Sequence, residues 1–492
     1  MTYIPVIGLE IHIQVKTKTK MFCGCMSDYF GSEPNINVCP VCIGLPGSLP
    51  VPNKEAIYKT VQLCMALNCS INKISKFDRK NYFYHDLPKG YQISQYDLPI
   101  GYDGHIEIEV DSDSRRIRIQ RVHIEEDTAK SVYDSNNILL DFNKAGIPLI
   151  EVVTYPDFTS TEEVLAFAKR LRQILIYNQI SDAEMQKGHV RFELNISLKH
   201  ERIPLNKNGL PIYKVEVKNI GSISVLEKVI KYEIDRQSQE WNKGHDIRSQ
   251  TRGIKDMSGR TFFQRYKEEA EDYRYFPEPD IPPFKIEDEL INSIISSMPE
   301  QPIDRKHRYL KLGLESEQAD VLIEDIQKGN WFDQALNVIS SNLVVTPKEL
   351  AKWIIQDISG FLEKKKLTFS NLPFNQEWLI DLLEAYYTHQ ITGNIVKKII
   401  EEEILAYLRT KNYKTTLSPI EIIEKRGYKQ VHDENLIYKI AESCVRDNPN
   451  LVASLQKNPN AIKALIGYGM KISRGKVNPV LLEKLLKKIL QL

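Results

Sequence analysis

Four cysteines near the amino terminus have the types and spacing of a metal site. They form two short pairs, Cys23-Gly-Cys25 and Cys39-Pro-Val-Cys42, with 13 residues between the pairs. Thiolates in such pairs suit tetrahedral coordination of Zn²⁺, and the second pair lies in a Cys-Pro-Val-Cys-Ile-Gly turn typical of a knuckle. The sequence therefore predicts a structural zinc site, because four thiolates leave no open position for a reactant. Free or disulfide-bonded cysteines are the alternative.

A strand with one polar face lies directly before the cysteines. Glu10, His12 and Gln14 alternate there with apolar residues, and residues two apart in a strand share a face. Three further segments repeat the alternation. Their polar members are His123 and Glu125; Arg191, Glu193, Asn195 and Ser197; and Lys214, Glu216 and Lys218. In the first of these segments, a slip of the alternation near Gln120 and Arg121 predicts a β-bulge.

The composition of these faces favours metal-assisted handling of phosphate. An antiparallel sheet with one solvated face gives the same alternation, but such a face tends towards Lys, Glu and Thr. Here His, Asn, Ser and Gln occur together with several carboxylates. Carboxylate oxygens suit Mg²⁺, whereas Lys, Arg and amide groups suit phosphate. The sequence contains no P-loop, protein-kinase or serine-hydrolase motif.

Residues 79–92 are the best candidate for a phosphate-binding segment. They combine cationic, amide and aromatic side chains around a Pro-Lys-Gly turn, and Lys80 and Lys89 are the lysines of this segment. Lysine and amide groups are suitable ligands for phosphate oxygens. An ordinary loop with tyrosines packed beneath it is the alternative interpretation.

Length and composition predict more than one domain and a cytoplasmic protein. The chain has 492 residues, 42% of them hydrophobic, and a net charge of +1. It shows neither a secretory signal pattern nor an apolar run long enough to span a bilayer. Because thiols stay reduced in the cytoplasm, this compartment favours metal binding over disulfides for the cysteine pairs.

The spacing of apolar residues divides the chain into a β-rich front and a helical back. Short alternating runs extend to about residue 220, and helical spacing begins near residue 285. Four prolines in 273–283 favour an extended strap between them, and a polar stretch at 411–418 marks a second break. We predict an α+β fold with three domains. They are a mostly antiparallel-sheet, cradle-like catalytic domain with the zinc knuckle at 1–290, an all-α domain at 291–412 and a helical tail domain at 413–492.

The end of the chain is basic. Residues 441–492 contain 9 Lys and Arg against 3 Asp and Glu. Such an excess of positive charge favours an anionic partner. A solvated helical face would have the same composition, so charge alone leaves both interpretations open.

Six ordered motifs within the first 283 residues resemble those of one family. They are Ile7-Gly-Leu-Glu-Ile-His12; the two cysteine pairs; the segment from Arg79 to Tyr96, with Asp-Leu-Pro-Lys-Gly-Tyr-Gln; Gly146-Ile-Pro-Leu-Ile-Glu151; Val215-Glu-Val-Lys-Asn219; and Asp272-Tyr-Arg-Tyr-Phe-Pro-Glu-Pro-Asp280. Together they look like the B subunit of the bacterial aspartyl/glutamyl-tRNA amidotransferase. The helical remainder resembles that protein more loosely.

The resemblance implies an enzyme of protein synthesis. Such B subunits use ATP and Mg²⁺ to phosphorylate the side-chain carboxylate of Glu or Asp mischarged on tRNA(Gln) or tRNA(Asn), and ammonia then attacks the acyl phosphate. In the family, an amidase, the A subunit, releases the ammonia from glutamine, and a small C subunit completes a heterotrimer. The family's heterotrimer is a carbon–nitrogen ligase with glutamine as amide donor. The remaining cysteines, Cys64, Cys69 and Cys444, lie in apolar contexts, so we do not expect the chain alone to hydrolyse glutamine.

The resemblance also implies roles for particular residues. Glu10, His12, Glu125 and Glu216 are expected to be catalytic and to bind Mg²⁺, with Glu151 as a further member. The residues expected to contact the nucleotide or the acyl end are Lys80, Lys89, Asn195 and Ser197. The residues expected to contact tRNA phosphates are Lys471, Arg474 and Lys476.

Some positions depart from the family pattern. Glu193 stands where an Asp is more usual, His85 replaces a proline, and Gly221 replaces an Asn. A non-catalytic tRNA-binding scaffold is the alternative function, although it would not need the acidic residues and His12. The archaeal glutamate-specific relative is a second alternative, and it has an extra inserted domain. This chain shows no insertion of that size, so the resemblance favours the bacterial type. The sequence does not decide between Glu-tRNA(Gln) and Asp-tRNA(Asn) as substrate.

Overall fold

A computed structural model describes residues 3–491 except 112, 135–136, 267–272, 340–343, 412, 432 and 456–458. Asp272, the first residue of the last family-like motif, therefore lies outside the described residues. The chain divides into two units, Met1–Pro302 and Ile303–Leu492. The domain boundaries predicted at residues 290 and 412 stay predictions.

The first unit is built on one large sheet, which has nine strands among the described residues. Neighbouring strands are antiparallel except for one parallel pair, Val215–Ile220 with Gln250–Ile254. In spatial order the strands are β14 (Thr261–Tyr266), β13 (Gln250–Ile254), β12 (Val215–Ile220), β11 (Val190–Lys199), β1 (Ile4–Gln14), β10 (Pro148–Thr154), β7 (Asp113–Glu126), β6 (Gly101–Val110) and β2 (Ser70–Ile71). This mostly antiparallel sheet, followed by a helical region, confirms the predicted α+β class.

One face of the sheet is covered by helices, which explains the alternation in the sequence. The apolar side chains Leu9, Ile11 and Ile13 of β1 are fully buried in the main core. Helix α2 (Thr161–Tyr177) contacts β6, and helix α3 (Ile223–Asn242) contacts β11. Because only one face is covered in this way, the alternate side chains can be polar. The helices of this unit are α1 (Lys54–Ala66), α2 (Thr161–Tyr177), α3 (Ile223–Asn242) and α4 (Asp288–Ser297).

The bulge predicted in β7 is confirmed. Val153 of β10 pairs with Arg121, but the next residue, Thr154, pairs with Ile119, so Gln120 is the extra residue. An extra residue shifts the alternation by one position. The shift places His123 and Glu125 on the polar face beside β10.

The proline-rich strap is extended, as predicted, and it is fixed to the front of the chain. Its strand β15 (Phe276–Pro277) pairs with β4 (Asp78–Asn81), which in turn pairs with β5 (Tyr91–Ser94). Strand β5 also contacts β7 of the large sheet. Two small pairs complete the unit: β16 (Phe284–Lys285) with β3 (Ile74–Ser75), and β8 (Lys130–Asp134) with β9 (Asn137–Asp141).

The described part of the second unit is helical. Its helices are α5 (Pro302–Lys311), α6 (Ser316–Glu324), α7 (Ile326–Ile339), α8 (Pro347–Lys352), α9 (Ser359–Lys364), α10 (Gln376–Tyr387), α11 (Gly393–Arg409), α12 (Pro419–Lys425), α13 (Glu434–Asp447), α14 (Pro449–Ser454), α15 (Ile462–Ile472) and α16 (Pro479–Leu490), with a π-helical turn at Trp353–Ile358. Ile422 and Ile423 of α12 pack into the core of α6 to α11, and α13, α15 and α16 share a separate core. Among the described helices, none combines the length and the apolar character needed to cross a membrane.

Candidate active site and metal centres

The polar face of the sheet carries two separate groups of potential metal ligands. The first, which we call the His12 cluster, consists of His12, Glu125 and Glu151. The second, the Glu10 cluster, consists of Glu10, Glu193 and Glu216. Within each cluster, one ligand atom per residue lies within 4.8 Å of the others. The predicted set of Glu10, His12, Glu125 and Glu216 is therefore placed on one face but divided between two clusters.

Strand pairing assembles the His12 cluster from three neighbouring strands. His12 of β1 lies opposite Glu151 of β10, and Glu151 lies opposite His123 of β7. His12 Nε2 is 3.2 Å from Glu151 Oε2 and 3.8 Å from Glu125 Oε1. Ser94 Oγ of β5 donates a hydrogen bond of 3.0 Å to Glu125 Oε2. Both carboxylates are buried, whereas His12 is partly exposed.

The charges of the His12 cluster depend on each other. Burial favours neutral His12, but the hydrogen bond and charge of Glu151, with the charges of Glu193 and Glu125, raise its pKa to about 9. Burial also opposes ionisation of Glu151, yet His123 and His12 hold the pKa of this carboxyl well below its usual value. Without a metal, His12 is therefore a protonated imidazole that neutralises part of the acidic cluster.

The Glu10 cluster has only oxygen ligands and a lysine at its edge. Glu10 of β1 lies opposite Glu193 of β11. Lys218 Nζ is 3.0 Å from Glu193 Oε2 and 3.9 Å from Glu216 Oε2. Asn195 Nδ2 donates a hydrogen bond of 2.9 Å to Glu10 Oε1, while its Oδ1 is buried without a hydrogen-bond partner among the described residues. An unsatisfied carbonyl oxygen beside three carboxylates is what an oxygen-ligated cation requires.

The donor sets of both clusters fit divalent cations. Two carboxylates with an imidazole, or three carboxylates with an amide oxygen, are suitable ligands for divalent metals, and Mg²⁺ prefers the all-oxygen set. His12 and Glu10 are two residues apart on β1, which is roughly 7 Å along the strand. From β1 the His12 cluster extends to β10 and β7, and the Glu10 cluster extends to β11 and β12 on the other side. The two clusters are therefore neighbours on one polar face.

Two residues of this site were not assigned from the sequence. His123 is buried between the carboxylates, with Nε2 3.7 Å from both Glu125 Oε2 and Glu151 Oε2. Its Nδ1 has no hydrogen-bond partner in the part of the chain that the structure describes. The sequence signal that could have identified His123 as a site residue was its position on the same strand face as Glu125. Glu193 was predicted to lie on the polar face and was noted as a departure from the family pattern, but it was not assigned as a ligand; the structure places it in the Glu10 cluster. The Glu193 side chain is one methylene longer than the Asp usual in the family, and it still brings a carboxylate to that cluster.

The other predicted ligands occupy different surroundings. Lys80 Nζ lies 5.2 Å from the Tyr273 ring centroid. Burial lowers the pKa of Lys80, but the charges of Glu125 and Glu151 outweigh burial and raise this pKa well above its usual value. Lys89 instead forms an ion pair with buried Glu126. This pair lines a cavity of about 220 Å³ beside the cysteines.

Ser197 lies at the far end of the polar face. It is buried on β11 opposite Val6, whereas Glu193 of the same strand lies opposite Glu10. Four residues separate Ser197 from Glu193, which corresponds to roughly 13 Å along a strand. Asn195 therefore belongs to the Glu10 cluster geometrically, and Ser197 does not.

The four cysteines form a third potential metal site. Cys23, Cys25, Cys39 and Cys42 bring their Sγ atoms together within 4.8 Å, and all seven cysteines of the chain are free thiols. Four thiolates fit Zn²⁺. Lys20 is completely buried beside them and donates from Nζ to the carbonyls of Asn37 and Phe142 and to Cys42 Sγ, at 2.8, 3.2 and 3.6 Å. Its ammonium group offsets part of the negative charge of the thiolates.

Replacing Cys42 with serine should remove zinc and destabilise the first unit. We expect about one zinc per chain in the unmodified protein and much less in Cys42→Ser. The melting temperature should fall by about 5 to 10 °C, because the knuckle would lose the ligand that also binds Lys20. Metal analysis and calorimetry measure both. Cys69→Ser is the matched control, since Cys69 lies outside the cluster. Equal melting temperatures for Cys42→Ser and the unmodified protein would contradict a structural role.

The predicted tRNA-contacting residues lie together in the second unit. Lys471 is in the last turn of α15, Arg474 has a left-handed backbone with a φ of 54°, and Lys476 follows before α16. None of the three forms an ion pair with a described residue. Their positive charges are therefore available to an anionic partner.

The comparisons with known proteins agree with this geometry. The family model described as "GatB/GatE catalytic domain" matches residues 5–292, which contain both carboxylate clusters and the cysteines, and the "GatB domain" model matches residues 330–490. The chain belongs to the family of aspartyl/glutamyl-tRNA(Asn/Gln) amidotransferase B subunits. Proteins of that name from Persephonella marina and Thermotoga maritima are 42% and 38% identical, each over 100% of both chains. The relative from Thermus thermophilus is 38% identical over 98% of both chains.

Family membership confirms the resemblance found in the motifs. The matches extend over the whole chain, so the looser helical part also belongs to the B-subunit family. The two family models leave residues 293–329 between them. The division of the structure after Pro302 falls within that interval.

Proposed function

We propose that this chain is the ATP-dependent component of a tRNA amidotransferase. It would phosphorylate the side-chain carboxylate of Glu on tRNA(Gln), of Asp on tRNA(Asn), or of both, and join ammonia to the activated carbonyl. The observation that carries the proposal is the pair of carboxylate clusters on one polar sheet face, with the Lys80 ammonium beside the His12 cluster. The products are Gln-tRNA(Gln) and Asn-tRNA(Asn).

The reaction needs ATP because the oxygen of a carboxylate is a poor leaving group. A side-chain oxygen of the substrate attacks the γ-phosphorus of ATP, ADP leaves, and an acyl phosphate forms. Ammonia then attacks the acyl carbon, and phosphate leaves with that oxygen. Mg²⁺ held by the two carboxylate clusters would neutralise phosphate charge and help to align the reacting groups.

The chain contributes the groups that bind and orient the reactants. Glu125, His12 and Glu151 would hold one cation, and Glu10, Glu193 and Glu216 the other. Lys80 offers an ammonium group to phosphate oxygens, and the unpaired Asn195 Oδ1 offers a ligand at the Glu10 cluster. These groups are fixed on paired strands, so little reorganisation is needed when the reactants bind.

We further propose a cytoplasmic heterotrimer that contains this chain, an amidase as the A subunit and a small C subunit. The amidase would supply ammonia from glutamine, so the complex is a glutamine-dependent carbon–nitrogen ligase. A cysteine glutaminase needs an activated, accessible thiol. Cys64 and Cys444 are buried, Cys69 is partly buried and donates from Sγ to the carbonyl of Leu67, and the four other cysteines form the knuckle. The isolated chain should therefore not hydrolyse glutamine.

A tRNA-binding scaffold without catalysis is the competing function. It would need the knuckle and the basic residues of the tail, but it would gain nothing from two sets of buried carboxylates. Burial of ionised carboxylates without a cation or another partner is costly. The retention of both sets therefore favours catalysis.

The proposal is tested by coupling ATP cleavage to amide formation. The chain, purified with its amidase and small partners, is mixed with γ-labelled ATP, Mg²⁺, ammonium and Glu-tRNA(Gln) or Asp-tRNA(Asn). We expect phosphate release that depends on the mischarged tRNA and equals the Gln-tRNA(Gln) or Asn-tRNA(Asn) formed. Binding of tRNA without ATP cleavage would support the scaffold instead. The two tRNAs, tested in parallel, identify the substrate.

Binding of Mg²⁺ to the His12 cluster should release a proton. The pKa of His12 is about 9 in the absence of metal, and an imidazole must be neutral to bind a cation. At pH 8 we expect release of nearly one proton per cluster, and the affinity should increase with pH up to about 9 and level off above it, where His12 is already neutral. Titration calorimetry in buffers of different ionisation heat measures this release. His12→Gln should abolish it, and an unchanged release in that variant would remove His12 from the ligand set.

A further inference from the structure

Four tyrosines form a continuous row on the part of the first unit that contacts β7. We call Tyr82, Tyr96, Tyr273 and Tyr275 the tyrosine row. Tyr96 and Tyr275 are stacked with their centroids 4.4 Å apart and an interplanar angle of 12°. Edge-to-face contacts of 6.2 and 6.1 Å continue the row to Tyr273 and then to Tyr82. Lys80 Nζ lies 5.2 Å from the centroid of Tyr273.

The row is held in place before any ligand binds. Arg79 forms a two-pronged ion pair with buried Glu278, with Nε to Oε2 at 2.7 Å and Nη2 to Oε1 at 2.8 Å. Asn81 Nδ2 donates to the carbonyl of Arg274 at 2.8 Å. These bonds join β4 to two points of the strap, Arg274 and Glu278, which flank Tyr275 in the sequence. Ordered rings lose little freedom on binding a planar ligand, which favours affinity.

The row borders the His12 cluster. Ser94, two residues before Tyr96, donates its hydrogen bond to Glu125. Burial raises the pKa of Tyr275 to about 12, an effect opposed by Lys80 and reinforced by the charges of Glu125 and Glu151. A molecule that contacts the tyrosine row can therefore place its charged end at the carboxylates and Lys80.

Core packing alone does not account for the row. Tyr96 is 49% exposed. None of the four hydroxyl groups forms a hydrogen bond with a described residue, and the Lys80 ammonium forms neither a hydrogen bond nor an ion pair within the same described part. A row of partly buried tyrosine rings with one exposed ring, next to a cation that has no ion-pair partner among the described residues, has the features of a stacking site for a nucleotide.

We propose that the tyrosine row stacks the adenine ring of a reactant, with Lys80 contacting its phosphate or ribose. The inference rests on the proposed function, because both reactants of that reaction carry adenine. ATP has it beside the phosphates, and the mischarged tRNA has it in the 3′-terminal adenosine that bears the amino acid. Either molecule would extend from the row into the His12 cluster. An aromatic side chain can stack on any base, because every base has a π-face.

The test is binding to the full-length chain of three probes. They are a non-hydrolysable ATP analogue with Mg²⁺, tRNA(Gln) with its complete CCA end, and the same tRNA without the terminal adenosine. Tyr96→Leu should weaken one adenine-bearing probe about tenfold, whereas Tyr96→Phe retains the ring and should bind normally. Loss for the ATP analogue assigns the row to ATP. Loss for the complete tRNA, but not for the shortened one, assigns it to the terminal adenosine.

Two outcomes would overturn the proposal. One is unchanged affinity for all probes in both Tyr96→Leu and Tyr275→Leu. The other is equal loss for complete and shortened tRNA with no loss for ATP. Because a variant can unfold, a second measurement uses the unmodified chain: 2-aminopurine at the adenine position of each probe should be quenched on binding. Unquenched fluorescence in both bound probes would equally contradict stacking.

The binding tests separate this inference from the proposed function. They require no turnover. If the unmodified chain couples ATP cleavage to amide formation, but Tyr96→Leu and Tyr275→Leu bind all probes normally, only the stacking role of the tyrosine row is refuted. A chain that stacks adenine but never cleaves ATP with mischarged tRNA refutes the function alone.

Discussion

Glu125→Gln should lower the rate of ATP-dependent amidation by a factor on the order of 10³ while the protein stays folded. A glutamine keeps the shape of the side chain and can still accept the Ser94 hydrogen bond, but it removes the charge that would hold a cation. Loss of metal-based stabilisation of the transition state costs several kcal/mol, and each 1.36 kcal/mol is about tenfold in rate. Single-turnover formation of Gln-tRNA(Gln) measures the effect.

A matched substitution controls for the loss of a charge. Glu162 is exposed in the first turn of α2, away from the polar face, so Glu162→Gln should retain full activity. Glu216→Gln tests the Glu10 cluster in the same assay and should also be inactive. A folded Glu125→Gln enzyme with an unchanged rate would remove the His12 cluster from catalysis.

The triple substitution Lys471→Ala, Arg474→Ala and Lys476→Ala should weaken tRNA binding strongly but leave ATP binding unchanged. These residues have no ion-pair partner among the described side chains, so their charges are free to contact phosphates. We expect the KM for tRNA to rise about 10- to 100-fold near physiological salt and the slope of log affinity against log salt to decrease by about 2 to 3. Steady-state amidation at varied tRNA concentration measures the KM, and filter binding at several salt concentrations measures the slope.

A second triple variant distinguishes a site from a general effect of charge. Lys364, Lys365 and Lys366 are exposed at the end of α9, and none pairs with a described acid. Their replacement by alanine removes the same charge from the same unit. Equal losses of tRNA affinity in both triple variants would show that the basic tail residues have no special role.

The polar face could be predicted from the sequence because the signal is local. Alternation with a period of two places Glu10 and His12 on one face whatever the strand pairs with. The bulge at Gln120 was predictable for the same reason, since it interrupts that alternation. The extended strap followed from four prolines, which exclude a regular helix.

The division into two clusters could not be predicted, because it depends on strand order. Glu151 joins His12 only because β10 pairs with β1, and Glu216 joins Glu10 only because β11 lies between β12 and β1. Strand neighbours that are distant in the chain leave no periodic trace in the sequence. The pairing of Lys89 with Glu126 is likewise a tertiary contact.

The structure shows why substitutions test the tail better than a deletion does. A deletion of residues 413–492 would remove α12, whose Ile422 and Ile423 pack into the core of α6 to α11. Loss of two buried isoleucines costs about 2 to 5 kcal/mol for each side chain. Such a deletion would mix loss of stability with loss of tRNA contacts, so substitutions at Lys471, Arg474 and Lys476 are the sharper experiment.

The central claim is that this chain activates a carboxylate by phosphorylation, and oxygen transfer tests it most directly. Glu-tRNA(Gln) carrying ¹⁸O in both side-chain oxygens is converted by the complex with unlabelled ATP, Mg²⁺ and ammonium. The account predicts one ¹⁸O atom in each phosphate released, because the attacking oxygen leaves with phosphorus, and no label when Glu125→Gln replaces the active chain. Amide formation with unlabelled phosphate would contradict the account.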